Sequence, residues 1–303
     1  MILNGKTDVG LRRKNNQDSF VIRQWNDIGC ALGVVCDGMG GANGGNIASA
    51  LACETFVRAV ERFMLSEKVK NGSATEGDYS SMLAHAVSDA NQAVFRCTER
   101  DESLRGMGTT LVASLVVSSA RGRVLYAVNV GDSRLYLYNR GRMTQITRDH
   151  SLVQYLLDAG KLTPEEAKDY PNRNVITRAV GIERGIEADI FSVDLSSVGA
   201  DALALLCSDG LSAYVEKNDI CALLREAASD PHETYNGAKA AQKLIDAANA
   251  AGGPDNITVL LIRFRGESAL DGETAASEST QSETTLANES INHAEKDGLH
   301  GTV

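Results

Sequence analysis

The sequence predicts an α+β fold in which antiparallel sheets stack as a layered sandwich and helices pack outside them. Three observations predict this fold. Strand-like runs arrive in consecutive blocks, helical patterns arrive in pairs, and the strict alternation of strand and helix that is typical of a parallel doubly wound sheet is absent. With 303 residues, 43% of them hydrophobic, the chain can bury a full core.

Two strand-like runs open the chain, an alternating one at residues 18–25 and a continuous apolar one at residues 30–36. The glycine-rich segment 38–45 follows them. Apolar residues then recur at helical spacing over residues 47–64, and a second amphipathic pattern covers residues 81–96. We therefore expect two helices in succession.

Four further strand-like runs predict antiparallel hairpins, because short Gly-containing turns join them. They lie at residues 110–118, 123–130, 134–139 and 143–147. Residues 150–180 form a polar, helix-prone excursion with two prolines, which we interpret as an inserted flap. The remaining pattern predicts strands at 190–193 and 203–207, helices at 219–228 and 234–250, and a last strand at 257–264.

Charge divides the chain into two parts. Residues 266–303 contain eight acidic side chains and one lysine, so they carry −7 of the formal charge of −10 and leave −3 for residues 1–265. Because this Ser/Thr-rich stretch has almost no large apolar residue, we expect a disordered tail on a folded domain of residues 1–265. The folded part has no basic block, so neither nucleic acid nor an anionic membrane is expected as a partner.

The cysteines and the start of the chain indicate a reducing cytoplasm. Six cysteines stand at irregular spacings without a Cys-x-x-Cys pair, and three lie inside apolar runs, as small core residues do. The first residues show no secretory signal, and no uninterrupted apolar run approaches the ~20 residues needed to span a bilayer. No feature favours an oligomer, so we expect a monomer.

Four aspartates each stand at the edge of a strongly apolar run, and a fifth, Asp18, opens a strand. The four are Asp37, Asp132, Asp209 and Asp255. Aspartate often ends a strand because it forms good turns, which explains any single case. Four repetitions favour a shared site, where the carboxylates would repel one another severely unless cations neutralised them. A set of oxygen ligands without a Cys or His cluster suits Mg²⁺ or Mn²⁺ better than Zn²⁺.

Eight short motifs stand in one order along the chain. They lie at residues 10–19, 35–41, 107–110, 130–134, 148–150, 177–181, 208–210 and 255–258. Together they resemble the bacterial members of the metal-dependent PP2C-type (PPM) serine/threonine protein phosphatases, over about residues 4–264. The resemblance implies an α-β-β-α sandwich of two antiparallel sheets flanked by helix pairs. It also implies hydrolysis of phosphoserine and phosphothreonine in proteins by water that bridges two metal ions.

The resemblance also implies a ligand for each ion. Asp37 corresponds to the carboxylate that bridges both core ions, the carbonyl of Gly38 to a ligand of the second ion, and Asp209 with Asp255 to ligands of the first. Asp132 together with Asp209 corresponds to a weaker third site. The expected cofactors are therefore two Mg²⁺ or Mn²⁺ ions and a third of lower affinity.

Other motif residues correspond to groups that act beside the ions. Arg13 matches the guanidinium that binds the substrate phosphate, a geometry that suits two phosphate oxygens at once. Asp18 matches a carboxylate that orients water on the metal. Asn256 is expected to support Asp255.

The chain departs from the family pattern at three places. Met39 stands where many eukaryotic members carry a histidine thought to protonate the leaving group, which Met cannot do. Gln17 replaces a glutamate of many relatives and removes one negative charge near the metals. The flap is the most variable part of the family and gives no specific cue to the substrate. His150, at its start, is interpreted as a structural residue.

Other functions fit the sequence less well. Gly38-x-Gly40-x-x-Asn43 lacks the third glycine of the dinucleotide fingerprint, Gly5-Lys6-Thr7 has no room upstream for the first P-loop glycine, and no cysteine has an arginine at Cys-x5-Arg spacing. A catalytically inert module that binds phosphoproteins is the main rival, but such proteins usually lose the metal carboxylates. A phosphatase dedicated to one stress-response partner stays open, beside one that opposes a serine/threonine kinase.

Overall fold

Eleven strands and eight α-helices make up the part of the chain that the computed structural model describes, residues 1–119, 122–199, 202–231 and 234–264. The strands are β1 (Ile2–Asp8), β2 (Asp18–Trp25), β3 (Cys30–Met39), β4 (Gly108–Thr109), β5 (Leu111–Ser119), β6 (Gly122–Val130), β7 (Arg134–Asn139), β8 (Arg142–Gln145), β9 (Asp189–Asp194), β10 (Leu203–Cys207) and β11 (Ile257–Arg263). The helices are α1 (Gly41–Met64), α2 (Glu67–Lys70), α3 (Glu76–Arg100), α4 (Leu152–Asp158), α5 (Pro164–Lys168), α6 (Asp209–Ser212), α7 (Lys217–Ser229) and α8 (Gly237–Ala250).

The strands form two sheets. In the first sheet the order is β1-β11-β10-β7-β8. In the second it is β2-β3-β5-β6-β9, and the short β4 pairs with the end of β3. Every pairing between the described strands is antiparallel, as the sequence predicted.

Three apolar clusters show how the layers stack. Val35 of β3 and Leu206 of β10 belong to the cluster between the two sheets. Val34, the neighbour of Val35, faces the other side of its sheet and packs in a cluster with residues of α1 and α3. On the outer side of the first sheet, Leu224 of α7 and Leu244 of α8 form the third cluster. The layers therefore follow the order helices, sheet, sheet, helices, which confirms the predicted fold class.

The predicted bounds are accurate for several strands and less so for the helices. β2, β7 and β10 have the predicted bounds, whereas α3 begins five residues before the amphipathic pattern. Thr75 and Asp78 form a capping box there, in which the Thr75 hydroxyl accepts a hydrogen bond from the Asp78 N–H. The start of α3 is thus marked by its capping residues.

Strand β1 was not predicted from the sequence. This strand lies at the edge of the first sheet and pairs only with β11 among the described strands, and its residues are mostly half-buried. The polar run Asn4, Gly5 and Lys6 interrupts any apolar alternation. Gly5 instead makes room for an aromatic ring, because a Cβ there would lie 2.3 Å from Cε2 of Phe20. The strand exists because of its partners in the fold.

The segment predicted as a flap contains two short helices, α4 and α5. Two backbone hydrogen bonds close its base. The N–H of Thr177 donates to the carbonyl of His150, and the N–H of Leu152 donates to that of Val175, both at 2.8 Å. The chain therefore leaves the sandwich at residue 150 and returns to the same point near residue 177.

Two other expectations concern regions outside the sheets. The predicted acidic tail, residues 266–303, lies outside the described residues. None of the described helices combines the length and the apolar character needed to cross a membrane. Four of the six cysteines, Cys30, Cys36, Cys53 and Cys207, are buried as predicted, whereas Cys97 and Cys221 are partly exposed.

Candidate metal centre

Asp18 and Asp37 face each other at one end of the second sheet. β2 and β3 pair in a register that makes these two residues direct partners and pairs Trp25 with Cys30 at the other end. Like charges directly opposite each other on neighbouring strands are destabilising. A shift by one residue would turn the buried side chains of β3 to the wrong face, so the core holds this register and brings the two carboxylates together.

Asp18 links the two sheets. Its Oδ2 accepts hydrogen bonds from Ser208 Oγ and Thr258 Oγ1, both at 2.7 Å, and both donors belong to the first sheet or adjoin it. Its Oδ1 is buried and has no hydrogen-bond partner in the described part of the chain. Burial, with a smaller contribution from the charges of Asp209 and Asp255, raises the pKa of Asp18 to about 7 against the effect of the two hydroxyls.

Asp37 is held through its backbone. Its N–H donates to Thr110 Oγ1, and its carbonyl accepts hydrogen bonds from the Thr110 N–H and the Thr109 hydroxyl, all at 2.9 Å. These contacts involve only the backbone of Asp37, and the charged groups around its carboxylate are other acidic side chains. Loss of hydration, followed by the charges of Asp18 and Asp209, raises the pKa of Asp37 well above its ordinary value.

Gly38 lies where three stretches of backbone meet. A Cβ at this position would lie 2.0 Å from the Gly45 carbonyl oxygen and 2.6 Å from that of Gln17. The Gly38 N–H also donates to the Gln17 carbonyl at 3.1 Å. The glycines after Asp37 therefore permit a close approach of backbones, which allows α1 to begin beside the carboxylates.

Asp209 and Asp255 come from neighbouring strands of the first sheet. β10 and β11 pair antiparallel, so the residue that follows β10 and the residue that precedes β11 lie at the same edge. Gly210 makes the approach close, because a Cβ there would lie 1.9 Å from the Asn256 carbonyl oxygen. The two sheets thus bring carboxylates from β2, β3, β10 and β11 to one place.

The carboxyl group of Asp209 has acidic neighbours and too few donors. It lies within hydrogen-bonding reach of the Asp37 carboxyl, and its buried Oδ1 has no partner among the described residues. Burial and then the charge of Asp255 raise the pKa of Asp209. Two carboxyl groups in such contact are stable only if they share a proton or a cation.

Asp132 follows β6 at a turn that His150 supports. The Gly131 N–H donates to His150 Nδ1 at 3.1 Å, and the His150 N–H donates to the Gly131 carbonyl at 2.8 Å. His150 Nε2 lies 3.3 Å from an oxygen of Asp189, so this hydrogen-bond network assigns the ring proton to Nε2. Burial lowers the pKa of His150, which favours the neutral ring. The structural role predicted for His150 agrees with these contacts. Burial and the charge of Asp209 raise the pKa of the neighbouring Asp132 to about 7.

Arg13 lies on a loop that Asn256 anchors. Its guanidinium donates to Asp255 Oδ2 at 2.9 Å, and half of its side chain is exposed. The Asn256 side-chain amide donates to the carbonyls of Val9 and Asn15, both at 3.0 Å. Asn256 supports Asp255, as expected, but through its backbone N–H, which lies 2.8 Å from Asp255 Oδ1. Its side chain instead positions the loop that carries Arg13.

All the predicted site residues lie around this edge, and their chemistry fits hard divalent cations. The donors are oxygens, two of them buried without partners, and the carboxylates repel one another. Within the described ranges, however, no three acidic, histidine or cysteine side chains converge into a ready cage for one ion. The two observations are compatible, because Mg²⁺ keeps several waters and binds through one or two carboxylates. In addition, Arg13 already occupies Asp255.

The hydroxyl residues that support the carboxylates were not predicted from the sequence. Ser208 and Thr258 hold Asp18, and Thr110 holds the backbone of Asp37. Thr110 Oγ1 is also 2.7 Å from Ser133 Oγ. Each of these residues lies within one of the eight motifs, and two of them are direct sequence neighbours of a predicted aspartate. In the sequence, the only indication of these roles was the position of each residue within a motif.

Comparisons with known proteins show similarity to protein phosphatases over most of the chain. The family described as protein phosphatase 2C matches residues 12–247. The serine/threonine phosphatase Stp of Listeria welshimeri is 36% identical over 259 residues, which are 85% of this chain and 93% of that protein.

Solved structures are similar over the same region. The serine/threonine phosphatase PstP/Ppp of Mycobacterium tuberculosis has a TM-score of 0.70 at 35% identity, and the match covers 88% of this chain and 99% of that one. The catalytic domain of the serine/threonine protein phosphatase PstP in complex with two manganese ions has a TM-score of 0.66 at 34% identity, over 86% and 96% of the two chains.

Proposed function

Because the chain belongs to the protein phosphatase 2C family and is a serine/threonine protein phosphatase, we propose that it hydrolyses phosphoserine and phosphothreonine at a centre of two Mg²⁺ or Mn²⁺ ions, with a weaker third. The resemblance of the eight motifs is confirmed by these relatives. The uncompensated carboxylates support the cation centre, and so does the relative that holds two manganese ions.

The carboxylates are assigned to the ions by their correspondence to the motifs of the family. Asp37 would bridge the two core ions, the Gly38 carbonyl would bind one of them, and Asp209 with Asp255 would bind the other. Asp132 would hold the third ion together with Asp209. When bound, such ions lower the pKa of water and stabilise charge on phosphoryl oxygens.

Asp18 is assigned to the positioning of water. Its Oδ2 is already occupied by the hydroxyls of Ser208 and Thr258, whereas its Oδ1 has no partner among the described residues. A carboxylate that is fixed in this way can accept a hydrogen bond from water in only one direction.

Arg13 is assigned to the substrate phosphate. Its guanidinium is half-exposed and pairs with Asp255 at 2.9 Å. A cation at Asp255 would neutralise that carboxylate, and the guanidinium would then be available for two phosphate oxygens. In this proposal Arg13 exchanges one acidic partner for another.

The proton for the leaving group is assigned to water. Met39, which follows Gly38, has no proton to donate. As the oxygen of water adds to phosphorus, the P–O bond to the serine or threonine oxygen breaks and that oxygen takes up a proton. The products are the free hydroxyl side chain and inorganic phosphate.

The contact between Asp37 and Asp209 is the observation that carries the proposal. Both carboxyl groups have raised pKa values because they are poorly hydrated and surrounded by other acids. A purely structural edge would gain stability by replacing one of them with a neutral residue. Their proximity therefore supports a site whose charges are compensated when cations bind.

The direct test is phosphate release from a phosphothreonine peptide by the purified protein, with Mn²⁺, with Mg²⁺ and with excess EDTA. We expect release with either ion and none with EDTA. Asp209→Asn should remove the metal-dependent release, whereas Asp246→Asn, on the exposed face of α8, should not. An absence of release with every metal would favour the inert phosphoprotein-binding module.

We also propose that the enzyme opposes a serine/threonine kinase of the same cell. The acidic residues assigned to catalysis do not select a substrate. This role is therefore inferred from what members of the family commonly do. Incubation of the protein with a phosphorylated kinase and Mn²⁺ should remove phosphate from the kinase. Retention of all phosphate by the kinase, while the peptide is hydrolysed, would contradict this role.

A further inference from the structure

A groove of about 790 Å³ lies at the base of the flap and along the segment that follows it. Met39, two residues after Asp37, lines one of its sides, and Ile176, Ile182 and Ile186 line others. One side of the groove is therefore formed by the end of β3 that carries Asp37, and the other sides by the segment that follows the flap. The proposed function gives no role to these apolar residues.

Met39 and Ile182 form the apolar floor of the groove. Both side chains converge over Gly108, because a Cβ at that glycine would lie 2.9 Å from Met39 Cε and from Ile182 Cδ1. Ile182 is 43% exposed although it is a large apolar residue. Together with Met39, Ile176 and Ile186 it gives the groove an apolar lining, which is typical of a surface that binds a partner.

The rim of the groove carries negative charge. Glu183 and Glu187 line it, are exposed, and form no ion pair with any residue in the described ranges. The arginines nearby are already neutralised: Arg178 pairs with Asp189 and Arg184 with Glu99, both at 2.9 Å. The uncompensated charge of the groove is therefore acidic.

We propose that this groove binds the polypeptide on one side of the phosphorylated residue, and that it favours an apolar side chain next to a lysine or arginine. The apolar side chain packs on Met39 and Ile182, and the cation lies near Glu183 and Glu187. The acidic residues 266–303 have the wrong sign of charge for this rim. The assignment rests on the proposed function, because the groove is a substrate subsite only if phosphopeptides are hydrolysed.

The test compares three phosphothreonine peptides with p-nitrophenyl phosphate, a small substrate that has no flanking residues to occupy the groove. The first peptide carries leucine and arginine on both sides of the phosphothreonine, the second has alanine for leucine, and the third has glutamate for arginine. We expect kcat/KM to fall about tenfold for the second peptide. For the third it should fall about fivefold at low salt and less at high salt, as for exposed ion pairs.

Variants of the groove should remove these preferences one at a time. Ile182→Ala should abolish the preference for leucine, and the double variant Glu183→Gln with Glu187→Gln should abolish the preference for arginine. Glu183→Lys with Glu187→Lys should reverse the latter in favour of the glutamate peptide. Hydrolysis of p-nitrophenyl phosphate should stay unchanged in all of them.

Two matched controls lie outside the groove. Leu65→Ala removes a side chain that is 62% exposed at the end of α1, and Glu165→Gln removes an exposed carboxylate of α5. Both should keep the full preferences.

Equal kcat/KM for the three peptides would overturn the groove while leaving the phosphatase function intact. A lack of hydrolysis of every substrate would overturn the proposed function and the groove with it.

Discussion

The carboxylates of Asp149 and Asp209 lie close to the same turn, and the charge of each raises the pKa of Asp132. Asp149 is 8% exposed, and Arg134 donates to both of its oxygens at distances of 2.6 to 3.0 Å. Gln145 provides one more donor at 2.9 Å. Asp209 has a buried oxygen without a partner in the described chain and an acidic neighbour within hydrogen-bonding reach.

The difference separates carboxylates that hold the fold together from those that are available for a ligand. A buried charge is tolerated when a partner and further hydrogen bonds replace its hydration, as they do for Asp149. At Asp209 the same fold leaves the charge uncompensated. Cations that bind there would therefore add stability as well as activity.

The largest effect is expected from a substitution of Asp209, the carboxylate whose charge is uncompensated. Asp209→Asn should lower metal-dependent kcat by about a thousandfold or more, because one charged ligand of the ions is lost. Without metal, the same variant should be more resistant to urea than the native protein at pH 7.5, because repulsion with Asp37 is removed. The measurements are phosphate release with Mn²⁺ and urea unfolding in EDTA. Near-normal turnover would refute the assignment of Asp209 to the metals.

A substitution of Asp149, the carboxylate whose charge is compensated, should instead destabilise the metal-free protein. Asp149→Asn leaves the Arg134 charge without its partner, and we expect a loss of about 2 kcal/mol in the free energy of unfolding, since part of the Arg134 side chain reaches water. Urea unfolding measures this loss. Addition of Mn²⁺ should not restore it. Asp158→Asn, which breaks the exposed pair with Arg148, is the control and should have little effect.

Arg13→Ala tests the guanidinium that pairs with Asp255 at the edge of the candidate metal centre. We expect KM for a phosphothreonine peptide to rise about tenfold with a small change in kcat, because charge-assisted hydrogen bonds to the phosphate are lost. Arg12→Ala removes an exposed neighbouring guanidinium and should change KM much less. Equal effects of the two variants would show that general charge, rather than the position of Arg13, attracts the substrate.

The smallest expected effect is the pH dependence of the metal-free protein. The pKa values of Asp18 and Asp132 are raised by burial to about 7 in the fold, above those of the unfolded chain. The folded state therefore holds more protons than the unfolded state between about pH 4 and pH 7, and stability should fall as pH rises through this window. In EDTA, the melting temperature should be on the order of a few degrees lower at pH 7.5 than at pH 5.5.

The cation test of this dependence uses the same assay. Mn²⁺ should raise the melting temperature more at pH 7.5 than at pH 5.5, because protons compete with it at lower pH. A metal-free protein with equal melting temperatures at both values would contradict the raised pKa values of Asp18 and Asp132.

Much of the fold and the centre could be predicted from local pattern. The apolar run at residues 30–36 predicted β3, which is buried on both faces, and the aspartates at strand edges predicted a shared site. The edge strand β1 escaped notice because its residues carry no apolar alternation and its stability comes from β11 and Phe20. The hydroxyls of Ser208 and Thr258 escaped because their role depends on a carboxylate 190 and 240 residues away.

The sequence by itself determined which segments are apolar enough to become strands and helices, and which acidic residues end them, because burial is encoded by the side chains of each segment. Only the tertiary structure decided the partners. It placed Asp18 opposite Asp37, gave Arg13 to Asp255 across 242 residues, and gave Arg134 to Asp149. The physical reason is that charge compensation depends on distances between segments, and these are set by strand order and register in the packed sheets.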